Sequence, residues 1–90
     1  MGQSKVNEKN TPNEVLAIDL FCGCGGVTEG LKQAGFTVIA AVDNDPICCQ
    51  TYRLNHPEVS LLEKDICKTS ARSLKSILGK RKLDLLVVCA

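Results

Sequence analysis

The sequence predicts an α/β fold in which four parallel strands are joined by crossover helices. Three observations lead to this prediction. Four short apolar runs alternate with segments of helical periodicity. The connections between them are short, as they are in right-handed β-α-β units. The first apolar run leads directly into a glycine-rich turn, which in such folds lies at the carboxyl edge of the sheet.

Composition and charge narrow the class of protein. A chain of 90 residues makes at most one small domain, and its 44% hydrophobic content allows a packed core. A net charge of +1 leaves this segment without the electrostatic footprint of a nucleic-acid-binding surface. The sequence holds neither an apolar run of about 18 residues nor the core of a signal peptide. We therefore expect no membrane partner and an intracellular location.

The first strand is predicted at Val15–Leu20, after a polar, flexible segment at residues 1–14. Its nearly continuous apolar character is typical of a strand buried on both faces. Asp19 is the exception, and we expect its carboxylate to accept backbone N–H groups from the following turn. Three glycines let that turn bend sharply and approach a ligand closely: Gly23, Gly25 and Gly26.

The first helix is predicted from Val27 to Ala34, with Leu31 on the same face as both. Gly35 stands where a C-terminal cap belongs. The second strand follows at Phe36–Val42, which is continuous, apolar and rich in β-branched residues.

The second helix is predicted to begin at Asp45 and Pro46, a typical pair of N-cap and first helical residue. His56, followed by Pro57, ends it. Tyr52 is interpreted as a residue of the helix surface. One face of this helix carries Ile47, Thr51 and Leu54.

A short third strand is predicted at Val59–Leu62 and a fourth at Leu83–Ala90. Between them, Thr69 or Ser70 caps a third helix that ends at Gly79. Three apolar residues of this helix are expected to face inward: Leu74, Ile77 and Leu78.

Six cysteines allow a disulfide scaffold, but several lie in strand-like or helix-like runs, which favours free thiols that pack as small hydrophobes. We expect Cys22 and Cys24 to be packing residues rather than reactive thiols. Cys48, Cys49 and Cys67 are expected in the core or on a helix face. The Cys22-x-Cys24 spacing is unlike a zinc pair and His56 has no partner at ligand spacing, so no metal is expected.

Acidic residues follow the second and third strands at the predicted ligand-binding edge. Asp43 comes about twenty residues after Gly23, the spacing at which a carboxylate accepts ribose hydroxyls. Asp65 can accept a hydrogen bond from an exocyclic amine, and Ile66 can pack on an adenine ring. The combination predicts an adenosine site.

The glycine turn departs from the dinucleotide fingerprint, because Thr28 stands where the third glycine belongs. There is no Walker lysine after the glycines either. A phosphate-free adenosine compound such as S-adenosyl-L-methionine fits this departure. A fragment of an NAD-binding dehydrogenase is the alternative enzyme.

Four stretches of the sequence, within residues 15–90, resemble motifs of the DNA (cytosine-5) methyltransferases. Residues 19–26, with Glu29–Leu31 and Gly35–Phe36 behind them, resemble the first motif. Asp43–Pro46 resembles the second motif and Asp65–Ile66 the third. Leu83–Ala90 is similar to the lead-in to the fourth. The resemblance implies a partial Rossmann-like methyltransferase fold that binds S-adenosyl-L-methionine.

The resemblance also implies a role for each matching residue. Phe21 would pack against the cofactor, and the backbone of the glycine turn would hold its methionine end. Asp43 would bind the ribose and Asn44 would lie by the adenine. Asp65 would take the adenine amine, with Ile66 lining the ring. The implied cofactor-binding residues are Phe21, Cys22, Gly23, Cys24, Gly25, Gly26, Asp43, Asn44, Asp65 and Ile66.

The family's catalytic cysteine lies in a Pro-Cys-Gln motif just after the fourth strand, and no Pro-Cys pair occurs in these 90 residues. We therefore expect the N-terminal, cofactor-binding part of a methyltransferase, found in bacterial cytoplasm or in a nucleus and inactive by itself. A complementary C-terminal chain or segment would carry the cysteine and contact DNA. The non-enzymatic alternative is a regulatory or interaction module that keeps the fold.

Overall fold

A computed structural model describes residues 14–88, which form one four-stranded parallel sheet with the strand order β3-β2-β1-β4. The strands are β1 (Val15–Leu20), β2 (Phe36–Asp43), β3 (Ser60–Glu63) and β4 (Leu85–Val88). The helices are α1 (Gly26–Gln33), α2 (Pro46–Asn55) and α3 (Ala71–Leu78), with an unpredicted 3-10 turn at Ile66–Lys68. The chain runs from β1 outward to β3 and then returns to the other side of β1. The predicted order of strands and helices is confirmed.

This topology determines where a ligand can lie. Strand order reverses between β1 and β4, and in open α/β sheets ligands bind beyond the carboxyl ends of the strands near such a point. The loop that follows Leu20 and the turn that follows Asp43 both lie at that edge. The loop after β1 is therefore an expected position for a ligand.

Side chains alternate between the two faces of the sheet, and each face has its own core. On one face, Leu16, Ile18 and Leu20 pack with Val42 and with the apolar side of α3. That side of α3 consists of the predicted residues Leu74, Ile77 and Leu78. On the other face, the buried cluster consists of Ala17, Cys22, Val38, Ala41, Tyr52 and Val59. The two cores bury β1 and β2 almost completely, as the sequence predicts.

Strand β4 is attached to β1 by a side chain as well as by its backbone. The backbone N–H of Leu16 donates to Asp84 Oδ2 at 2.9 Å, and the N–H of Asp84 donates to the Leu16 carbonyl at 3.0 Å. The regular pairing begins at Leu85 rather than at the predicted Leu83. The predicted end of the strand, Cys89 and Ala90, lies outside the described residues, as do residues 1–13.

The helix ends follow the predicted capping chemistry. The Asp45 carboxylate accepts from the N–H groups of Ile47 at 2.9 Å and Cys48 at 3.2 Å. Of the two candidates for the cap of α3, Ser70 is the one that accepts, from the N–H of Ser73 at 3.1 Å. Gly35 adopts the positive φ of a helix-terminating residue.

The predicted faces of the first two helices are wrong at most of their positions, although Leu31 packs against the core as predicted. In α2, Ile47 and Leu54 are 75% and 79% exposed, whereas Tyr52 is fully buried. In α1, Val27 and Ala34 are exposed and Thr28 is the buried residue. Both errors share one cause: Thr28 and Tyr52, which are buried instead, carry hydroxyl groups that pair with each other, so aliphatic periodicity does not reveal them.

The cysteines differ in their exposure to solvent. The five cysteines between residues 14 and 88 are free thiols, but only Cys22 and Cys49 are buried. Cys24 is exposed, which contradicts the expectation that it packs, whereas Cys67 is exposed on the 3-10 turn, in keeping with the helix-face alternative. Within the described part of the chain, none of the helices has the length and apolar character needed to cross a membrane.

Replacing the α2 cap tests the fold without disturbing a core. Asp45→Ala removes the acceptor for two N–H groups, so we expect a loss of about 1 kcal/mol in the free energy of unfolding. In a domain of this size that corresponds to a fall of about 4–8 °C in Tm, measured by thermal circular dichroism. Asp45→Asn is the control, since asparagine caps equally well. An equal loss in both variants would contradict the capping role.

Candidate functional site

The loop between β1 and α1 has a backbone that few residues tolerate. Phe21 has a φ of 60°, Gly23 of 55° and Gly25 of 104°. A positive φ is costly for a bulky residue such as Phe21, so the surrounding contacts must hold it there. Two of these are hydrogen bonds from the Cys22 N–H to the Val42 carbonyl and from the Gly25 N–H to the Cys22 carbonyl, both 3.0 Å. The loop is thus fastened to the carboxyl end of β2.

Asp43 is the side chain that joins the loop to the turn after β2. Its Oδ1 accepts from the Gly23 N–H at 3.3 Å, and its Oδ2 accepts from the Asp45 N–H at 3.1 Å. The spacing of Gly23 and Asp43 seen in the sequence is therefore a direct contact. Because a carboxylate has about four acceptor positions, capacity remains for a ligand's hydroxyl groups.

Five of the predicted site residues line one small open cavity of about 40 Å³ at this edge. They are Phe21, Asp43, Asn44, Asp65 and Ile66. Val42 and Lys64 also line it and were not predicted. Both are direct chain neighbours of predicted residues, so the strand-end rule that found Asp43 and Asp65 could have included them. Asp65 has a local task as well, because its Oδ1 accepts from the Cys67 N–H at 2.9 Å.

The other predicted residues lie elsewhere around the loop. Cys24, Gly25 and Gly26 line a second, wider opening of about 460 Å³ that also contacts Glu29 and His56. The Cys22 side chain points into the core below, where burial raises the pKa of its thiol to about 12. Cys22 is therefore the packing residue that the sequence predicts. Only its backbone takes part in the hydrogen bonds of the loop.

Under the loop lies a buried polar network that sequence reasoning missed. Thr28 donates its hydroxyl proton to Asp19 Oδ2 at 2.7 Å, and the Tyr52 hydroxyl is 2.8 Å from the same Thr28 oxygen. Since the single Thr28 proton is used, the Tyr52 hydroxyl is the donor in the second bond. The expectation that Asp19 accepts backbone N–H groups from the turn is wrong, as is the surface position predicted for Tyr52.

Burial controls the ionisation of this network. Asp19 is fully buried, and its Oδ1 has no hydrogen-bond partner among residues 14–88. Desolvation raises the pKa of the Asp19 carboxyl, opposed by the hydrogen bond from Thr28. Burial likewise raises the pKa of Tyr52 well above its usual range, so the phenol stays protonated and available as a donor.

His56 packs beside this buried network at the end of α2. Its ring is packed against Tyr52 with centroids 4.9 Å apart, and it is only 3% exposed. Lys32 Nζ lies 3.0 Å from His56 Nδ1, and an ammonium group can only donate, so the proton of the neutral ring is on Nε2. Lys32 also forms a 2.8 Å ion pair with Glu58, which lowers the pKa of that carboxyl.

The described residues contain no group of three or more His, Cys, Asp and Glu side chains that could hold a metal ion. What the arrangement offers is a rigid loop of backbone N–H groups, a fixed carboxylate at Asp43 and a shallow cavity with apolar and acidic walls. Those groups can bind and orient a small polar molecule with a flat ring.

Gly25 is the position at which the loop tolerates no side chain. A Cβ there would lie 2.9 Å from two atoms of the His56 ring and 3.1 Å from Tyr52, and the φ of 104° is itself strained for alanine. We expect Gly25→Ala to lower the free energy of unfolding by about 1–3 kcal/mol, measured by urea denaturation. Gly30→Ala is the matched control in the same segment, because its Cβ would meet nothing within 4 Å. There, alanine is expected to stabilise the helix by up to about 1 kcal/mol. Equal effects at the two glycines would contradict the close-contact explanation.

The raised pKa of Asp19 predicts a pH dependence of stability. The folded chain holds this proton more tightly than the unfolded chain, whose carboxyl titrates near its ordinary value of 3.8. The Asp19 contribution is thus fully present below that value and is lost as pH rises toward the folded pKa. Asp19→Asn cannot ionise, so the unfolding free energy of the wild type should fall relative to this variant as pH rises from about 4 to about 7. Urea denaturation across that range measures it.

Glu29→Gln, which removes an exposed carboxylate from the same helix as Thr28, is the control and should keep the wild-type slope. A slope that is identical in the wild type and in Asp19→Asn would show that Asp19 titrates normally.

Comparison with known proteins identifies the family that the chain matches. Residues 15–90 match the family model of the C-5 cytosine-specific DNA methylases. The chain is 39% identical over 74 residues to the Type II methyltransferase M.XorII of Xanthomonas oryzae, covering 80% of this chain and 18% of that protein. It is 42% identical over 73 residues to the Type II methylase M.HgiDII of Herpetosiphon aurantiacus, covering 81% and 20%. The chain thus spans about a fifth of the length of these relatives.

Solved structures show the same fold. A DNA modification methyltransferase encoded within an E. coli prophage superposes with a TM-score of 0.75 and 30% identity, over 81% of this chain and 21% of that one. DNMT2 of Spodoptera frugiperda superposes with a TM-score of 0.64 and 27% identity, over 71% and 20%. The predicted Rossmann-like methyltransferase fold is therefore confirmed. The family match over 76 consecutive residues and the shared fold show that this chain belongs to the C-5 cytosine-specific DNA methylase family.

Proposed function

We propose that the chain is the N-terminal part of a DNA (cytosine-5) methyltransferase and binds S-adenosyl-L-methionine. The observation that carries the proposal is the hydrogen bond from the Gly23 N–H to Asp43 Oδ1. This bond supports the proposal because it brings the Asp43 carboxylate, an acceptor suited to ribose hydroxyls, against the glycine loop and beside a cavity that Asp65 and Ile66 also line. Membership of the methylase family identifies the adenosine compound for which such a site is built.

The residues present fit this cofactor. Phe21, Asn44 and Ile66 can contact the flat adenine ring, while Asp65 can accept a hydrogen bond from its amine. Asp43 can accept from the ribose hydroxyls with the positions that Gly23 and Asp45 leave open. A methyl group activated for transfer is what the bound cofactor supplies; the chain's own residues bind and orient it.

The loop itself suits the phosphate-free end of the cofactor. A Cβ at Gly23 or at Gly26 would meet nothing within 4 Å, so this side of the loop backbone is open to a ligand. Cys24, Gly25 and Gly26 also line the wider opening, so this part of the loop backbone faces open space. We assign the methionine part of the cofactor to this backbone, including the peptide groups of Cys22 and Cys24.

Thr28 argues against the dinucleotide alternative. A dinucleotide loop uses its third glycine to bring the helix close to the strand. Here that position is a fully buried threonine whose hydroxyl bonds to Asp19 on β1 and to Tyr52 on α2. The helix is thus held at the strand by a hydrogen bond rather than by the close approach that a third glycine allows.

Methyl transfer to cytosine needs groups that these 90 residues do not contain. In the family reaction a cysteine of the Pro-Cys-Gln motif attacks the cytosine, which must first be turned out of the DNA helix. We propose that a C-terminal chain or segment supplies this cysteine and the DNA contacts, in the bacterial cytoplasm or a nucleus. On this proposal, restriction-modification is the biological setting suggested by the Type II relatives.

Calorimetric titration with S-adenosylhomocysteine tests the cofactor assignment. We expect the 90-residue chain to bind it, and Asp43→Asn to weaken binding roughly 10- to 100-fold, because a charged acceptor for the ribose is lost. Glu63→Gln is the control: Glu63 is also acidic and ends β3, but its carboxylate pairs with Arg53 at 2.8 Å outside the cavity. Its affinity should match the wild type.

Titrations with NAD and ATP complete the experiment. Binding of NAD without binding of S-adenosylhomocysteine would overturn the proposal in favour of the dehydrogenase fragment. Equal weakening by Asp43→Asn and Glu63→Gln, with both variants folded by circular dichroism, would remove Asp43 from the ribose site.

A further inference from the structure

Two thiols that the cofactor site does not use are in contact at its margin. The Cys24 and Cys48 thiols share a hydrogen bond, and the two sulfur atoms are 3.0 Å apart. Cys24 belongs to the glycine loop and is exposed, whereas Cys48 lies in the first turn of α2 and is half-buried. The contact therefore joins two elements that are 24 residues apart in the chain.

The other cysteines of the described region are placed differently. Cys22 and Cys49 are buried, and Cys49 donates its thiol to the Asp43 carbonyl at 3.5 Å. Cys67 is exposed but lies beyond β3, in the 3-10 turn. Only the Cys24 and Cys48 pair combines a thiol–thiol contact with access to solvent among residues 14–88.

We propose that Cys24 and Cys48 are a redox-sensitive dithiol, which a peroxide converts into a disulfide that locks the glycine loop onto α2. A disulfide has a sulfur–sulfur bond of about 2.05 Å, so the two atoms need to approach by only about 1 Å. Rotation of an exposed side chain and a small shift of a surface loop can supply that displacement.

The chemistry balances with one peroxide molecule. The exposed Cys24 sulfur attacks a peroxide oxygen, the O–O bond breaks, and a sulfenic acid and one water form, the thiol proton leaving with that water. The Cys48 sulfur then attacks the sulfenic sulfur, the S–O bond breaks and the S–S bond forms. The second water carries away the Cys48 proton, so two thiols are oxidised and the peroxide is reduced.

The surroundings assign the two roles. The hydrogen bond with Cys24 and the nearby Asp45 carboxylate raise the pKa of Cys48 to about 11, so Cys48 is protonated at neutral pH. Cys24 is the more exposed of the two and is the sulfur that an incoming peroxide meets first. Cys24 is thus the sulfur that attacks the peroxide, and Cys48, which lies in contact with it, is the thiol that resolves the sulfenic acid.

Locking would act on the loop that carries the site. The loop is held to the neighbouring turn by single hydrogen bonds, of which the Gly23 N–H to Asp43 contact is long at 3.3 Å. A covalent bond from Cys24 to α2 would close a ring of residues 24–48, which contains α1, β2 and the turn at Asp43, and it would hold the residue next to Gly23 in place. Opening of the loop at Gly23 would then be restricted, whichever small molecule binds there.

Peptide mapping by mass spectrometry after treatment of the full 90-residue chain with hydrogen peroxide tests the proposal. We expect one cross-linked pair of peptides containing Cys24 and Cys48, with the loss of two hydrogen masses, reversed by a thiol reductant. The oxidised chain should unfold at a Tm higher by on the order of 10 °C, and the amides of residues 22–25 should exchange hydrogen more slowly.

Three variants complete the design. Cys24→Ser and Cys48→Ser should each abolish the cross-link and both effects, whereas Cys67→Ser, another exposed thiol, should leave them intact. A cross-link through a different cysteine, or sulfinic acid at Cys24 without a cross-link, would overturn the proposal. So would a Cys24–Cys48 disulfide that leaves amide exchange in the loop unchanged. None of these readouts requires the cofactor to bind.

Discussion

A carboxylate buried at the end of β1 is the costliest group in the domain, and the structure around the candidate site follows from satisfying it. Asp19 is shielded completely from water, so without a partner it would destabilise the fold by several kcal/mol. Thr28 supplies that partner from the first turn of α1, and Tyr52 extends the chain of hydroxyl groups to α2. These bonds fix both ends of the glycine loop, since Asp19 precedes it and Thr28 follows it. The loop's strained φ values persist because its ends cannot relax.

The side chains beside the glycine loop impose a second constraint on it. Asp43 accepts from the loop at Gly23 and from its own turn at Asp45, so one carboxylate sets the distance between the two segments that border the cavity. His56 fills the space next to Gly25, which prevents any larger residue at that position. The buried network and Asp43 together make a preformed loop, and a preformed loop binds a ligand without first losing its own conformational entropy.

The sequence predicts the features of this fold that depend on local chemistry. Apolar runs give β1 and β2 within one residue, and capping preferences place the starts of α2 and α3. The spacing of Gly23 and Asp43 predicts their proximity, because the carboxyl ends of parallel strands share an edge. The predictions that fail concern residues whose burial depends on partners distant in the chain. Tyr52 looks like a surface residue until Thr28 and Asp19 are placed beneath it, and Ile47 looks like a core residue until that space is taken. The individual role of Asn44 rests on family resemblance, since spacing alone shows only that it reaches the edge.

Strand β4 takes no part in the contacts that shape the glycine loop and the cavity. Everything that shapes the loop and the cavity comes from β1, β2, α1, α2 and the segment just after β3. Strand β4 contributes to neither; it pairs with β1 through Asp84 and exposes Leu86 and Val88 to 49% and 58%. The candidate cavity is therefore shaped without β4, and the exposed apolar side chains of β4 lie apart from it. The two Type II relatives are about five times as long as this chain, so the chain and its candidate cavity correspond to a small part of such a protein.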